Sequence, residues 1–197
     1  MEVANQELKF RKLKADEIEC RVGVSKEKGC SLLLYKDARV DMNILDEAVG
    51  PYNWQRHHSR DNANCIVSIW DPSKKQWIEK EDVGTESNTE AQKGLASDSF
   101  KRACFNLGIG RELYTAPFIW IPSSKYEQTQ RNGKFYPNAT FKVSEIHYSD
   151  DGVIDGLKIV NLQLESDNKL VYSYISPELA KELRNKPNKI IEALKES

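Results

Sequence analysis

The residues best suited to chemistry in this sequence are basic side chains at helical spacing in the middle of the chain. Lys93, Ser97 and Lys101 recur every four residues, so in a helix they lie along one polar stripe, with Arg102 beside it. Fixed cations in a row bind successive phosphate groups, because each neutralised phosphate releases counterions. The same stripe can equally be a solvated helix face, stabilised by an i, i+4 pair between Asp98 and Arg102.

The helix that must hold this stripe is predicted from its apolar residues. Five of them follow one face of a 3.6-residue repeat: Ala96, Phe100, Ala103, Cys104 and Leu107. Thr89 and Gln92 can form a capping box, and Gly108 or Gly110 can end the helix in the left-handed conformation. We therefore predict a helix from about residue 90 to about residue 107, with Lys101 and Arg102 off its buried face.

A second basic cluster lies near the amino terminus, in the stretch LKFRKLK. It contains Lys9, Arg11, Lys12 and Lys14. This cluster is either a second polyanion site or a frayed basic terminus. The sequence leaves both interpretations open.

The overall composition limits the size of any nucleic-acid site. The chain has 197 residues, a net charge of −1 and a pI near 6.3, which argues against coating of nucleic acid by bulk positive charge. Any polyanion site must be a local patch. The sequence lacks an apolar run long enough to cross a membrane or to act as a signal peptide, so we expect a cytoplasmic protein without a membrane partner.

The motifs of enzymes and metal sites are missing from the sequence. It has no phosphate-binding loop, no dinucleotide fingerprint and no G-x-S-x-G elbow. The cysteines and histidines lack metal-ligand spacing, and the adjacent His57 and His58 are interpreted as strand residues on opposite faces. We therefore predict neither enzymatic activity nor a metal or other cofactor. A metal-dependent nuclease would need a carboxylate cluster that the sequence does not indicate.

The four cysteines, predicted to be reduced and buried, are Cys20, Cys30, Cys65 and Cys104.

The amino-terminal half is predicted to alternate short strands and helices. A short helix is expected at about Ala15–Cys20, a strand at 32–35 and a short amphipathic helix at 43–49, closed by Gly50. The segments CIVSIWD and KQWIEKEDV are typical of two strands joined by a turn. The long helix follows them.

The carboxy-terminal half is predicted to be mostly strands. APFIWIP indicates a strand, and Asn132-Gly133 favours a tight type I′ turn. TFKVSEIHYS, GLKIVNLQLE and KLVYSYI then predict an antiparallel meander, and Ser176 with Pro177 predicts the start of a last helix, to about residue 194. The expected organisation is one α+β domain over residues 1–175 and a carboxy-terminal helix over residues 176–197.

Three segments of the chain resemble, in order, the signature segments of the Rad-fifty-two superfamily of single-strand DNA annealing proteins, whose phage branch includes the Sak-type recombinases. The resemblance covers about residues 30 to 115. Its motifs are an Arg-Val pair on a strand or its end, a Gly-x-x-x-Trp turn, an Asp-Val-Gly after a strand and a glycine-closed helix with Asp-x-x-Lys-Arg-Ala. In this sequence they are Arg39-Val40, Gly50 to Trp54, Asp82-Val83-Gly84, and Asp98 to Ala103 with Gly108.

The resemblance implies an antiparallel β-β-β-α core, with additional strands, that assembles into a homo-oligomeric ring with single-stranded DNA in a cationic groove. It assigns contacts with the DNA backbone to Arg39, Lys101 and Arg102, with Lys93 at a further family lysine position. Tyr52 corresponds to an aromatic residue near the groove. Phe105 stands where the family often has another arginine, which implies a less basic groove.

The expected function is therefore single-stranded DNA binding and ATP-independent annealing of complementary strands, in phage-type recombination or in DNA repair. Such a protein would have a single-strand-binding protein or a nuclease as a further partner, in a bacterial or phage-infected host cytoplasm. The alternative is a binding or protein-interaction module without annealing activity. Neither alternative needs a cofactor.

Overall fold

Residues 8–85, 91–165 and 169–185 are described in a computed structural model, with the backbone alone for residues 91–93. Contacts divide the chain into two units: unit 1 is Met1–Leu13 with Lys36–Arg111, and unit 2 is Lys14–Tyr35 with Glu112–Ser197. The predicted boundary between residues 175 and 176 stays a prediction. In chain order the elements are β1 (Ile18–Lys26), β2 (Gly29–Lys36), α1 (Ala38–Val49), β3 (Trp54–Ser59), β4 (Asn64–Asp71), β5 (Gln76–Val83), α2 (Ala91–Leu107), β6 (Ile119–Pro122), β7 (Glu127–Arg131), β8 (Lys134–Asn138), β9 (Phe141–Tyr148), β10 (Ile154–Asn161), β11 (Leu170–Ile175) and α3 (Pro177–Asn185).

Unit 1 is a three-stranded antiparallel sheet, β3-β4-β5, with the two helices α1 and α2. The register places Trp54, Ile69 and Ile78 opposite one another, so their side chains share one sheet face. α2 packs against β4 and β5, and α1 contacts α2 and β3. This arrangement confirms the predicted α+β class and the β-β-β-α core. Its buried residues include Ile44, Leu45, Cys65, Val67, Ile69, Leu95, Phe100, Ala103 and Cys104.

The helix α1 begins earlier than the sequence analysis expected. The prediction placed a helix at 43–49 and put Arg39-Val40 on a strand or its end, but α1 starts at Ala38. The reason is Asp37, whose carboxylate accepts a hydrogen bond from the Arg39 backbone N–H at 2.7 Å and so caps the helix. Arg39 therefore lies in the first turn of a helix.

The helix α2 ends where its sequence predicts. Gly108 adopts a φ of 105°, and the next backbone N–H, from Ile109, donates to the Cys104 carbonyl at 3.2 Å. Phe100, Ala103 and Cys104 are fully buried as predicted, whereas Ala96 and Leu107 are half-buried. The buried face is rotated towards Leu95 and Ser99. The proposed capping residue Thr89 lies outside the described residues.

Unit 2 contains a six-stranded sheet in the order β11-β10-β9-β1-β2-β6 and a separate hairpin, β7-β8. The predicted meander is confirmed as β9-β10-β11, and the predicted tight turn is confirmed by the φ angles of Asn132 (50°) and Gly133 (74°). The helix predicted at Ala15–Cys20 is wrong. A 3-10 turn over Ala15–Glu17 leads directly into β1, whose β-branched Val22 and Val24 favour a strand.

The carboxy-terminal helix α3 begins at Pro177, as predicted. The Ser176 hydroxyl accepts a hydrogen bond from the Leu179 backbone N–H at 3.1 Å. The predicted continuation to residue 194 lies outside the described residues. None of the three described helices combines the length and the apolar composition that a membrane crossing requires.

Candidate nucleic-acid interface

The adjacent cations Lys101 and Arg102 project from α2 away from its buried face. Phe100 and Ala103, their immediate neighbours in the chain, have no exposed surface, which fixes the rotation of the helix against the sheet. Lys101 is half-buried, and the Arg102 side chain is 48% exposed. Because the helix is anchored by its apolar residues, both cations are held at a fixed place on its surface.

Lys101 lies on α2, which packs against α1. At the start of α1, the Arg39 guanidinium donates two hydrogen bonds to the Asp37 carboxylate, from Nε to Oδ1 and from Nη2 to Oδ2, and each is 3.0 Å long. These bonds, with the backbone bond from Arg39, lower the pKa of Asp37 to about 2, and the charge of Lys101 contributes in the same direction. Arg39 therefore binds this carboxylate directly, whereas Lys101, on the neighbouring helix, acts on it through its charge alone.

Arg102 reaches the other side of α2, towards the end of β5. Its Nε donates to Oδ1 of Asp82 at 3.2 Å, while Oδ2 of Asp82 accepts from the Asn106 amide at 3.2 Å. The i, i+4 pair with Asp98 considered above is not the contact that forms. Asp98 instead accepts a hydrogen bond from the Thr85 backbone N–H at 2.9 Å.

We call Arg39, Lys101 and Arg102 the cation row. It runs from the first turn of α1 across α2 to β5, with Asp37 at one end and Asp82 at the other. The row is thus partly neutralised by carboxylates of its own chain. Arg39 remains 80% exposed despite its fork, so its guanidinium is accessible to a ligand.

Gly84 explains the Asp-Val-Gly segment that ends β5. A Cβ atom at this position would lie 2.6 Å from the Ser99 backbone nitrogen and 2.8 Å from the Leu95 carbonyl oxygen. The absence of a side chain lets the end of β5 approach the backbone of α2. This close approach places Asp82 within reach of Arg102.

A buried ion pair lies in the same unit as the cation row. Lys36 donates from Nζ to Oδ1 of Asp41, whose side chain is fully buried, and Oδ2 of Asp41 has no hydrogen-bond partner in the described structure. Burial raises the pKa of Asp41 to about 6, although Lys36 and, more weakly, Lys101 oppose the shift. Gly110 leaves room for the Lys36 side chain, because a Cβ there would collide with it.

Tyr52 lies at the opposite end of α1 from Arg39 and is 93% exposed. The eleven residues from Arg39 to Val49 span roughly 15 Å of helix, so Tyr52 lies away from the Arg39 end of the cation row. The neighbouring Trp54 is half-buried. Its ring stacks on Phe100 with centroids 6.1 Å apart, and its Nε1 donates to Asp46.

The remaining basic candidates have different outcomes. Lys93 is in the first turn of α2, and its side chain lies outside the described part of the structure. In the amino-terminal basic cluster, Arg11 donates from Nη2 to Glu47 of α1 at 3.1 Å, and Leu13 is buried. The cluster from residue 8 onwards is therefore tied to α1 by Arg11 rather than frayed.

Arg111 is a cation that the sequence analysis missed. It donates to the carbonyl oxygens of Phe105 and Asn106 at 2.8 and 3.0 Å, and its guanidinium carbon lies 5.5 Å from the centre of the Phe105 ring. The guanidinium of Arg111 thus lies over Phe105, the residue at the position where the resemblance implies an arginine. The available signal was a basic residue just after the helix-ending glycines, within reach of the last carbonyl groups.

The described residues hold no group of three or more His, Cys, Asp or Glu side chains arranged to bind a metal ion. His57 and His58 are adjacent residues of β3, as predicted, and burial with the nearby Arg56 lowers the pKa of His58. All four cysteines are free thiols; Cys20 is half-buried and the other three are buried. Burial raises the pKa of Cys20 to about 12 and that of Cys65 to about 11, which leaves both unreactive at neutral pH.

Comparison with known proteins gives one informative similarity. The chain is 31% identical, over 108 residues, to the single-stranded DNA-binding protein DdrA of Deinococcus radiodurans. The aligned part covers 54% of this chain and 50% of DdrA, so the chain spans about half the length of this curated relative. No family model matches the chain, and no solved structure matches it. The resemblance to the Rad-fifty-two superfamily and its Sak-type branch therefore stays a prediction.

Proposed function

We propose that this protein binds single-stranded DNA through the cation row and anneals complementary strands without ATP, in recombination or DNA repair. The observation that carries this proposal is the packing of α1 against α2, which puts Arg39, bound to Asp37, on the helix next to the one that carries Lys101 and Arg102. Cations from distant parts of the sequence thus lie on neighbouring helices. The similarity to a single-stranded DNA-binding protein supports the choice of ligand.

The chemistry of the row suits a phosphate backbone. Arg39 offers a planar fork of N–H donors, and this fork already binds the two oxygens of a carboxylate, which resemble two oxygens of a phosphate. Contacts to the backbone carry no sequence information, so binding is expected to be independent of sequence and to weaken with salt. The bases then remain available for pairing. The exposed ring of Tyr52 can stack on one of them.

Self-association would multiply these weak contacts. In the three-stranded sheet of unit 1, β3 and β5 are edge strands, and an edge must be covered or paired. A homo-oligomeric ring would repeat the cation row around its circumference and raise the affinity through multivalency. Repetition explains how a chain with net charge −1 could hold a polyanion. A single-strand-binding protein or a nuclease would be a further partner, in a bacterial or phage-infected host cytoplasm.

A binding or protein-interaction module without annealing activity is the second candidate. The pairing of Arg39 with Asp37 and of Arg102 with Asp82 favours it, because such pairs also occur on protein surfaces that bind no nucleic acid. The two candidates differ in whether the protein changes the rate at which complementary strands pair.

The binding step is tested by fluorescence anisotropy with labelled single-stranded and duplex DNA of equal length over a series of salt concentrations. The proposal expects tighter binding to the single strand, the same affinity for unrelated sequences and a linear loss of log affinity with log salt. Equal binding to both forms, or no binding at low salt, would contradict it.

A further inference from the structure

We propose that Asp37 and Asp82 act as internal competitors of phosphate, which limit the affinity of the cation row for DNA and make that affinity less sensitive to salt. The inference rests on the proposed function and deepens it, because it concerns the regulation of the same surface. It is carried by two separate contacts, one on each side of α2.

The first contact is the fork between Asp37 and Arg39. Both carboxylate oxygens of Asp37 are engaged by the guanidinium, at 3.0 Å each, and Oδ1 also accepts the Arg39 backbone N–H at 2.7 Å. The Arg39 donors on Nε and Nη2 are therefore already occupied by an anion. Since the side chain is 80% exposed, an arriving phosphate can exchange with the carboxylate.

The second contact is the hydrogen bond from Arg102 to Asp82. Asp82 is held in place from three directions: Oδ1 also accepts the Val83 backbone N–H at 2.7 Å, and Oδ2 accepts the Asn106 amide. The carboxylate cannot move away easily when DNA binds. A phosphate at Arg102 must therefore compete with a fixed negative charge.

The exchange has a consequence for counterions. When a phosphate of a single strand binds an unpaired cation, about 0.7 cation is released from the DNA for each contact. When the phosphate displaces Asp37 from Arg39, or binds Arg102 beside the fixed carboxylate of Asp82, the cation that it meets is already partly neutralised, so the net release is smaller. Asp37 and Asp82 therefore weaken binding at low salt and flatten its salt dependence. A strand bound in this way also dissociates more readily, which suits a protein that must release the strands after they have paired.

The test uses substitutions that remove charge but keep shape. Asp37→Asn retains a good helix cap, since Asn caps as well as Asp, and Asp37→Ser provides a second uncharged cap. Asp82→Asn retains an acceptor oxygen for one of the neighbouring donors. Asp71→Asn is the control for the loss of one carboxylate, because this residue lies in the same unit but binds Ser73 and Lys74 in the turn between β4 and β5.

The experiment measures binding of the full-length variants to a labelled polythymidine strand over a salt series, with thermal unfolding to verify folding. The Asp37→Asn/Asp82→Asn variant is expected to bind about tenfold more tightly than wild type at low salt. Its log–log salt slope should be steeper by up to about 0.7 for each carboxylate removed, or up to about 1.4 in total. Asp71→Asn should follow the wild type.

Two outcomes separate the inference from the function on which it rests. If the wild type binds and the double variant shows the affinity and slope of Asp71→Asn, the carboxylates do not compete with phosphate and the inference is overturned, while the function stands. If wild type and all variants fail to bind at low salt, the proposed function is overturned and the inference with it. If Asp37→Asn alone has a folding defect, the same binding measurements are made with Asp37→Ser in its place.

Discussion

Lys101 of α2 lies close enough to Asp37, the cap of α1, to help lower the pKa of its carboxyl group. The two residues come from segments that the resemblance treats as separate motifs. Their proximity joins the Arg39-Val40 motif to the Lys-Arg helix within unit 1.

Replacing Lys101 and Arg102 together with Ala should strongly reduce binding to single-stranded DNA and leave the fold intact. Neither side chain belongs to the buried face of α2, and the exposed bond from Arg102 to Asp82 contributes at most about 1 kcal/mol to stability. Anisotropy with labelled DNA measures the first effect, and thermal unfolding measures the second.

The matched control for this variant is Lys74→Ala/Lys75→Ala. These lysines form another adjacent pair in unit 1, in the turn between β4 and β5, so the net charge changes equally. Binding by the control should stay near the wild-type value. Equal loss of affinity in both variants would mean that total charge, rather than the cation row, determines binding.

Gly84→Ala should destabilise the protein by about 1–3 kcal/mol, as expected for overpacking. The added methyl group would meet the backbone of α2 at Ser99 and Leu95, and neither backbone atom can move without shifting the helix. Urea unfolding measures the change. Val83→Ala, at the neighbouring half-exposed position, should cost much less, and equal stability of wild type and Gly84→Ala would refute the close packing of β5 on α2.

The buried Asp41 should make stability depend on pH between about 4 and 6. Its folded-state pKa, raised by burial to about 6, lies above the ordinary value of about 3.9. In this window the folded state keeps a proton that the unfolded state releases, so the free energy of unfolding falls as the pH rises.

Asp41→Asn removes this titration. The difference in unfolding free energy between wild type and Asp41→Asn should therefore decrease from pH 4 to pH 6 and then level off. A carbon-13 NMR titration of the Asp41 carboxyl group gives the pKa directly. A midpoint near 4, with a flat difference in stability, would contradict the account of the buried pair.

Self-association is predicted from the edge strands and from the need for multivalency. Light scattering at micromolar concentration should give a mass several times that of the 22.6 kDa chain, and negative-stain images should show rings. A monomer in both measurements would count against the ring and against the resemblance to the Rad-fifty-two superfamily.

Much of the fold could be predicted because its signals are local. The end of α2 follows from apolar periodicity and Gly108, and the β7-β8 hairpin follows from Asn132-Gly133. The start of α1 also has a local signal, because Asp37 is a residue type that caps helices. The few apolar residues after Ala15 are compatible with a helix and with a strand. The segment forms β1 because it pairs with neighbouring strands of the six-stranded sheet.

The charge pairing of the candidate site could not be predicted, because it depends on which segments meet in space. Asp98 lies one helical turn from Arg102 and is a suitable partner for it. Asp98 nevertheless accepts a hydrogen bond from the Thr85 backbone N–H, and Arg102 donates to Asp82. That choice is set by the close packing of Gly84 on α2. Sequence spacing alone contains no information about it.

The measurement that tests the central claim most directly is a fluorescence-quench annealing assay with two complementary oligonucleotides, without nucleotide or metal. The wild-type protein should accelerate pairing, because neutralised phosphates repel less and a strand held with its bases accessible finds its register faster. Arg39→Ala should slow annealing and weaken binding together, since Arg39 belongs to the same row as Lys101 and Arg102. If the wild type binds single strands but pairing proceeds at the protein-free rate, the protein is a single-strand binder and the annealing account is contradicted.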